Sequence, residues 1–350
     1  MANPQWTVDS LQISTNTLDS LSDRLYANGR MKVRVIVGIV AYNRKSERYF
    51  LTDSELDSIT LVDYYSPYEK LSGSWSYTSK LEDSNGETWA TSIDNGGSTA
   101  PVVSTGHSEC SKCAARTLPQ YKIFFVSSTT AESKRIGAAI TSGDGVYHHT
   151  NSQTLHSSIM LNAIAPIVYT SDMLHIMDTE IQKIPVGFSN GIWYDSRQQN
   201  YYIKSDRGPF KCAKVYKSFQ DDDDSVSSYK WNQRIRFKPN GNEVYCFFIW
   251  EMGVQRTKSE KIDPALDYAY DMEICNQSGS LCIARIHGVG PDDGTFQWGK
   301  SWGRDYWFEI FDHFGNSGKL KPVYHIEKEK LELQDLGTNY FGESDERVNM

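Results

Sequence analysis

The chain has 350 residues, a formal net charge of −8 and 13% aromatic residues. Its lysines and arginines are scattered, which excludes a dense phosphate-binding patch and makes nucleic acid a poor partner. The aromatic and β-branched content argues against wholesale disorder, and no apolar run reaches the ~20 residues that a membrane-spanning helix needs.

At about 100–200 residues per domain, this length implies two or three domains. The segment Met1–Trp6 lacks the basic stretch and apolar run of a secretory signal. The expectation is therefore cytoplasmic synthesis, with lysis or non-classical export as the routes of release. Six cysteines stand at 110, 113, 212, 246, 275 and 282. Cys246 falls on the same face as Val244 and Phe248 and reads as a small core hydrophobe.

In chain order, Leu11 and Ile13 alternate, and Leu25–Arg30 is a turn feeding a strand over Met31–Tyr42. That strand begins half-buried at Met31, Val33, Val35 and Val37 and becomes apolar on both faces at Ile39–Ala41, the mark of a central strand. Lys32–Arg34 reads as its solvated face. Thr52 and Glu55 have capping-box spacing, which predicts a short helical turn. Ile59, Leu61 and Tyr64 then resume a strand. Asp94–Ser108 is rich in Gly, Ser and Thr, lacks periodicity and reads as a linker.

A second block has the same order: a buried strand at Tyr121–Val126, then Ile136–Ile140, a Gly143-Asp144-Gly145 turn and Ser158–Ala163. It reads as a duplicated sandwich unit. Asp221–Asp224 marks a second exposed connection. Four consecutive Asp lack the alternate spacing and glycine of a calcium loop.

The clearest hairpin lies in the third block. Ile235 and Phe237 alternate with charged residues, Pro239-Asn240-Gly241-Asn242 turns the chain, and Val244, Cys246, Phe248 and Trp250 return on every second residue. Asn-Gly supplies the positive φ of a tight turn. Two further hairpins are expected: Tyr268–Ile274 with Leu281–Ile283, and Trp307–Phe311 with Val323–Ile326. Leu331, Leu333 and Leu336 fit a strand or a short helix.

Several motifs point toward chemistry. His107, Cys110 and Cys113 form a His-x2-Cys-x2-Cys run that offers three of the four ligands zinc takes at about 2.0–2.3 Å. His148 or His149 is a candidate fourth. The plainer reading is a polar loop with a thiol pair. Gly187-Phe-Ser189-Asn-Gly191 spells a nucleophile elbow, but the adjoining Ile192–Ile203 stretch reads as strand, turn, strand instead of strand, turn, helix. His148, His149 and His156 read as solvated loop histidines, with metal ligands or a general base as the alternative. The Ser/Thr-rich span 127–158 resembles in composition a membrane-inserting hairpin, although Gly137-Ala138-Ala139 interrupts the alternation that such a strand requires. Trp298 and Trp302 sit in a Gly-rich loop, and Trp307 stands close behind. Exposed tryptophan offers much contact area at little entropic cost, so these three are the expected binding residues. The competing reading caps a sandwich core with them.

The fold expected is all-β, with tandem antiparallel Ig-like β-sandwich domains at 1–105, 118–218 and 229–350, the last carrying the aromatic loop and a charged tail. The function expected is a non-enzymatic, acidic binding or self-assembling protein, of microbial-toxin or lectin-like kind. Its partner is a protein or carbohydrate surface, or further copies of itself. One alternative is a β-pore-forming toxin that uses 127–158, the only reading with a membrane partner. The other is a zinc-dependent hydrolase around His107, Cys110 and Cys113. Apart from that zinc, no cofactor is expected.

Overall fold

The computed structural model describes residues 5–16, 21–83, 86–93, 118–179, 181–189, 192–217, 234–240, 243–250, 252, 256–260, 270–274, 277–289, 302–303, 306–325 and 328–340. Among them the chain is all-β with several antiparallel sheets and one short α-helix. It divides into two compact units, one comprising 1–167 with 314–316 and the other 168–313 with 317–350.

The first unit holds β1 (Trp6–Thr15), β2 (Ser22–Tyr26), β3 (Val33–Asn43), β4 (Arg48–Tyr49), the helix α1 (Asp53–Asp57), β5 (Thr60–Asp63), β6 (Trp75–Thr78), β7 (Gln120–Ser128), β8 (Ser133–Thr141), β9 (Tyr147–His149) and β10 (Ile159–Ile164). One sheet has the order β1-β3-β7-β6, with β4 on β3; the other has β2-β10-β8-β5, with β9 on β8. All of these pairs are antiparallel except β2 with β10. The sheets share one core. Ile13, Val33, Val35 and Val37 enter it from the first sheet and Leu25, Leu61, Ile136 and Leu161 from the second. Each such side chain contributes about 1.5–3 kcal/mol when fully buried.

Strand β3 is central, as its two-sided apolar stretch predicts, with β1 on one edge and β7 on the other. The capping box also forms. Thr52 Oγ1 accepts from Glu55 N at 3.3 Å, and Glu55 Oε2 accepts from Thr52 N at 2.8 Å. Glu55 further accepts from Trp6 Nε1 at 2.7 Å and from the Tyr49 hydroxyl at 3.2 Å, which ties α1 to β1 and β4. Lys32 departs from its expected solvated face. It is buried, and Nζ donates to the carbonyls of Lys80, Leu81 and Glu82 at 3.4, 3.0 and 2.8 Å.

The second unit holds β11 (Leu174–Asp178), β12 (Gln182–Ser189), β13 (Ile192–Ser205), β14 (Phe210–Lys217), β15 (Arg234–Asn240), β16 (Glu243–Trp250), β17 (Arg256–Glu260), β18 (Tyr270–Ile274), β19 (Leu281–Val289), β20 (Trp302–Gly303), β21 (Tyr306–Asp312), β22 (Ser317–His325) and β23 (Lys330–Asp335). The larger sheet runs β11-β13-β19-β16-β15-β20, with β12 on β13; the smaller runs β14-β21-β22-β23, and β17 pairs with β18.

The Asn-Gly hairpin forms with Asn240 opposite Glu243. The expected Tyr268–Ile283 hairpin does not form. β18 pairs with β17, while β19 lies between β13 and β16. β19 is buried on both faces from Leu281 through His287, and a strand buried on both faces takes a long partner on each side. β21 and β22 pair as expected but in another register: Phe308 faces Leu320, and Val323 faces Glu332 of β23. Leu331 and Leu333 are therefore strand residues.

The same pairings redraw the expected boundaries of 1–105, 118–218 and 229–350. β7 and β8 complete the sheets of β3 and β5, so the first two blocks do not fold as duplicates. β13 and β14 join β19 and β21, so the rest of the second block folds with the third. These sheets are assembled from strands distant in sequence, and reading consecutive stretches as separate domains misses those pairings.

Candidate binding site

Trp298, His107, Cys110 and Cys113 lie outside the described residues. Trp302 is a strand residue, opposite Phe237 in β15. Trp307 is only 3% exposed. It stacks on Tyr216 at 4.0 Å with an interplanar angle of 10°, meets the Tyr340 edge at 5.3 Å, and lies under the Lys319 ammonium at 5.6 Å. It is a core residue with no face left for a partner. The span 127–158 contains β8, where Ile136, Ala138, Ala139 and Ile140 are buried, so this strand belongs to the sandwich core. Ser189 lies in a hairpin, opposite Ile192, without the helix that a nucleophile elbow needs.

A different surface gathers aromatic side chains at one end of the first unit. The stretch Tyr64-Tyr65-Ser66-Pro67-Tyr68 comes directly after β5, and Tyr147-His148-His149 forms β9. Tyr65, Tyr68 and Tyr147 are 71, 76 and 37% exposed. The first loop is tightly turned. Ser66 N donates to the Asp63 carbonyl at 3.2 Å, Glu69 N to Ser66 at 2.9 Å, and Tyr65 N to Asp63 Oδ1 at 2.9 Å. Burial pushes the Asp63 carboxyl up, but the Lys134 ammonium and the Tyr65 N–H outweigh it, so the group sits below its ordinary range.

The rings are fixed from beneath. Arg135 lies over the Tyr64 ring at 4.6 Å, donates from Nη1 to the Tyr65 hydroxyl at 3.4 Å, and is anchored by Nε on Ser158 Oγ at 2.9 Å. His156 meets the Tyr64 hydroxyl at 3.3 Å. Tyr68 stacks on Tyr147 at 5.3 Å and 24°, and both rings pack on His149. The Tyr147 hydroxyl donates to the Pro67 carbonyl at 2.7 Å, and burial raises its pKa. His148 Nε2 lies 3.0 Å from Ser142 Oγ; burial lowers its pKa against the pull of Asp144, with His149 adding to the fall. His149 and His156 thus pack on tyrosine rings, while His148 meets the Ser142 hydroxyl. Among the described residues, no three His, Cys, Asp or Glu side chains cluster to hold a metal.

Sequence reading passed over Tyr65, Tyr68 and Tyr147. The available signal was Tyr65 and Tyr68 flanking a Ser-Pro turn, and such turns lie on the surface. That β9 would bring Tyr147 to the same place depends on the tertiary fold.

Neither known protein families nor curated proteins provide a match. Among solved structures, the chain is similar to the C-terminal domain of the Streptococcus agalactiae AgI/II polypeptide BspA, at 8% identity over 93% of this chain and 99% of that one, with a TM-score of 0.25. It is similar to the C-terminal domain of the Streptococcus pyogenes antigen I/II-family protein AspA, at 8% identity over 95% and 99%, with a TM-score of 0.23. It is also similar to the Yersinia pseudotuberculosis adhesin InvE, at 10% identity over 91% and 59%, with a TM-score of 0.18. At these scores the similarities assign the chain neither a family nor a ligand.

Proposed function

We propose that the chain is a non-enzymatic binding protein whose tyrosine surface on the first unit contacts a protein or carbohydrate. The observation that carries this reading is the exposure of Tyr65, Tyr68 and Tyr147 on rings already held in place by Arg135, His149 and the Pro67 carbonyl. Tyrosine offers a broad apolar face and a polar tip, and little entropy is lost on binding when the ring is already ordered. The same economy favours tyrosine in evolved binding surfaces.

The test uses the full chain against arrays of immobilised glycans and immobilised proteins. Wild type binds a subset of one array, and the Tyr65→Ala, Tyr68→Ala double variant, with unchanged circular dichroism, loses at least tenfold in affinity. Unchanged binding by the double variant would remove the site, and no binding by wild type on either array would remove the function.

A further inference from the structure

The tyrosine surface contains an arginine that uses only part of its hydrogen-bonding capacity. Arg135, in β8, is half-buried. A guanidinium carries five N–H donors. Among the described residues, Nε donates to Ser158 Oγ at 2.9 Å and Nη1 to the Tyr65 hydroxyl at 3.4 Å, while Nη2 has no partner. One face of the group is covered by the Tyr64 ring at 4.6 Å. Three contacts therefore fix the guanidinium, and its Nη2 end stays open.

The charge is unmatched at the same point. Asp63 is taken by the Lys134 ammonium and by the Tyr65 N–H. Asp144 accepts from Ser142 and Val146, and Glu132 from Ser74 and Trp75. Among the described residues no carboxylate pairs with Arg135; the groups that act on it are the tyrosines. Propping the Tyr64 ring would not require a charge. A guanidinium held in place without a counter-ion is ready for an anion from outside, because its ordering has already been met by the fold. Lys134 is occupied by Asp63, so Arg135 is a single available cation. It matches the one charge of a carboxylate better than the nearly two charges of a phosphate monoester.

Tyr65 supplies the other half of the site. Its ring is 71% exposed and is backed by the Tyr64 ring at 5.6 Å and 84°. Arg135 meets it at the hydroxyl, so the guanidinium stands at the rim of the ring. A pyranose can lay its C–H face on such a ring, and an equatorial carboxylate at C5 lies near the plane of the sugar, at its edge. A hexuronic acid stacked on Tyr65 can thus direct its carboxylate to the rim where Arg135 stands. The extent of the surface also favours a sugar. Its rings come from two short segments, 64–68 and 147–149, whereas a protein partner typically engages about 20–30 residues a side. We propose that the tyrosine surface binds an acidic carbohydrate, with a hexuronic acid unit on Tyr65 and its carboxylate on Arg135. This ligand presupposes that the tyrosine surface is the binding site.

The test uses the full chain and two monosaccharides that differ at one carbon, methyl β-D-glucuronide and methyl β-D-glucoside, each titrated by NMR. Wild type binds the glucuronide at least tenfold more tightly, and added salt narrows the gap. Arg135→Gln lowers glucuronide affinity to that of the glucoside and leaves the glucoside unchanged. Arg135→Lys recovers only part of the preference, because an ammonium lacks the planar fork that matches a carboxylate. Tyr65→Ala weakens both sugars. Equal binding of the two sugars by wild type, with both weakened in Tyr65→Ala, would overturn the carboxylate contact and leave the tyrosine surface standing. The proposal would also be overturned by binding of neither sugar, or by a full glucuronide preference in folded Arg135→Gln. Tighter binding of the acidic peptide acetyl-Glu-Gly-Glu-amide than of the glucuronide would assign the surface to protein and overturn it as well.

Discussion

The Tyr147 hydroxyl reaches the Pro67 carbonyl at 2.7 Å, joining β9 to a loop 80 residues earlier in the chain. It is the polar half of a contact whose apolar half is the Tyr68–Tyr147 stack. Tyr147→Phe keeps the ring and deletes the bond. The expected loss of stability is about 0.5–1.5 kcal/mol. Amide exchange at Tyr68 and Glu69 should speed up, and affinity in the array assay should fall severalfold while the fold is kept. Unchanged exchange in that loop would show that stacking alone holds it.

Gly137 sits in the middle of β8, where glycine is normally unfavourable. A Cβ there would stand 2.5 Å from Thr150 Oγ1. That hydroxyl accepts from Ala138 N at 3.0 Å, and Thr150 N donates to the Ala138 carbonyl at 2.9 Å, so the two segments are locked at close approach. Gly137→Ala should destabilise the first unit by about 1–3 kcal/mol through overpacking. Combined with Thr150→Ala, the loss should fall short of the sum of the single losses, because the clash has been removed. Additive losses in chemical denaturation would refute the contact.

These two sites show what could be read from sequence. Gly137 was visible as a break in alternation within 127–158, but its cause, a hydroxyl from Thr150, is a tertiary contact. The capping box at Thr52 and Glu55, the Asn240–Glu243 hairpin and the central place of β3 were legible because each depends on residues close together in the chain. The partners of β7, β8 and β19 were not, because sheet pairing between distant strands depends on burial on both faces and leaves little local trace. Trp307 misled for a related reason. Its aromatic surroundings suit either an exposed loop or a core, and only its partners, Tyr216 and Tyr340, distinguish them.

Acid should loosen the tyrosine surface through His148. Burial holds its imidazole below the ordinary value, so the unfolded chain takes up the proton first as pH falls. Stability is therefore full above about 6.5, the unfolded value, and declines as pH falls from there through the lower folded value. Thermal unfolding followed between pH 8 and 5 should show this decline in wild type and a shallower one in His148→Gln. Identical slopes would assign the acid sensitivity to other groups.

Lys32 tests whether a buried ammonium can be replaced by a neutral side chain of similar length. Its three carbonyl acceptors, at Lys80, Leu81 and Glu82, secure the segment just after β6. Burial pulls its pKa down, against the carboxylates of Asp83 and Glu82. Lys32→Met leaves those carbonyls without a donor and should cost on the order of 2–3 kcal/mol. Lys32→Arg retains the charge and donors and should cost less. Equal losses for the two variants in urea unfolding would mean that shape, not hydrogen bonding, governs the position.

Trp307 separates a core role from a contact role. Its ring is sandwiched between Tyr216 and the Lys319 ammonium, with the Tyr340 edge against it. Removing a buried aromatic of this kind typically costs about 3–5 kcal/mol through lost contacts and the cavity left behind. Trp307→Ala should therefore lower the unfolding midpoint strongly. Trp307→Phe should recover much of the loss, because a ring still stacks on Tyr216. Below the unfolding midpoint, neither variant should change binding in the glycan and protein arrays, since the tyrosine surface belongs to the other unit. A folded Trp307→Phe protein that had lost binding would return this residue to the contact surface and remove the core assignment.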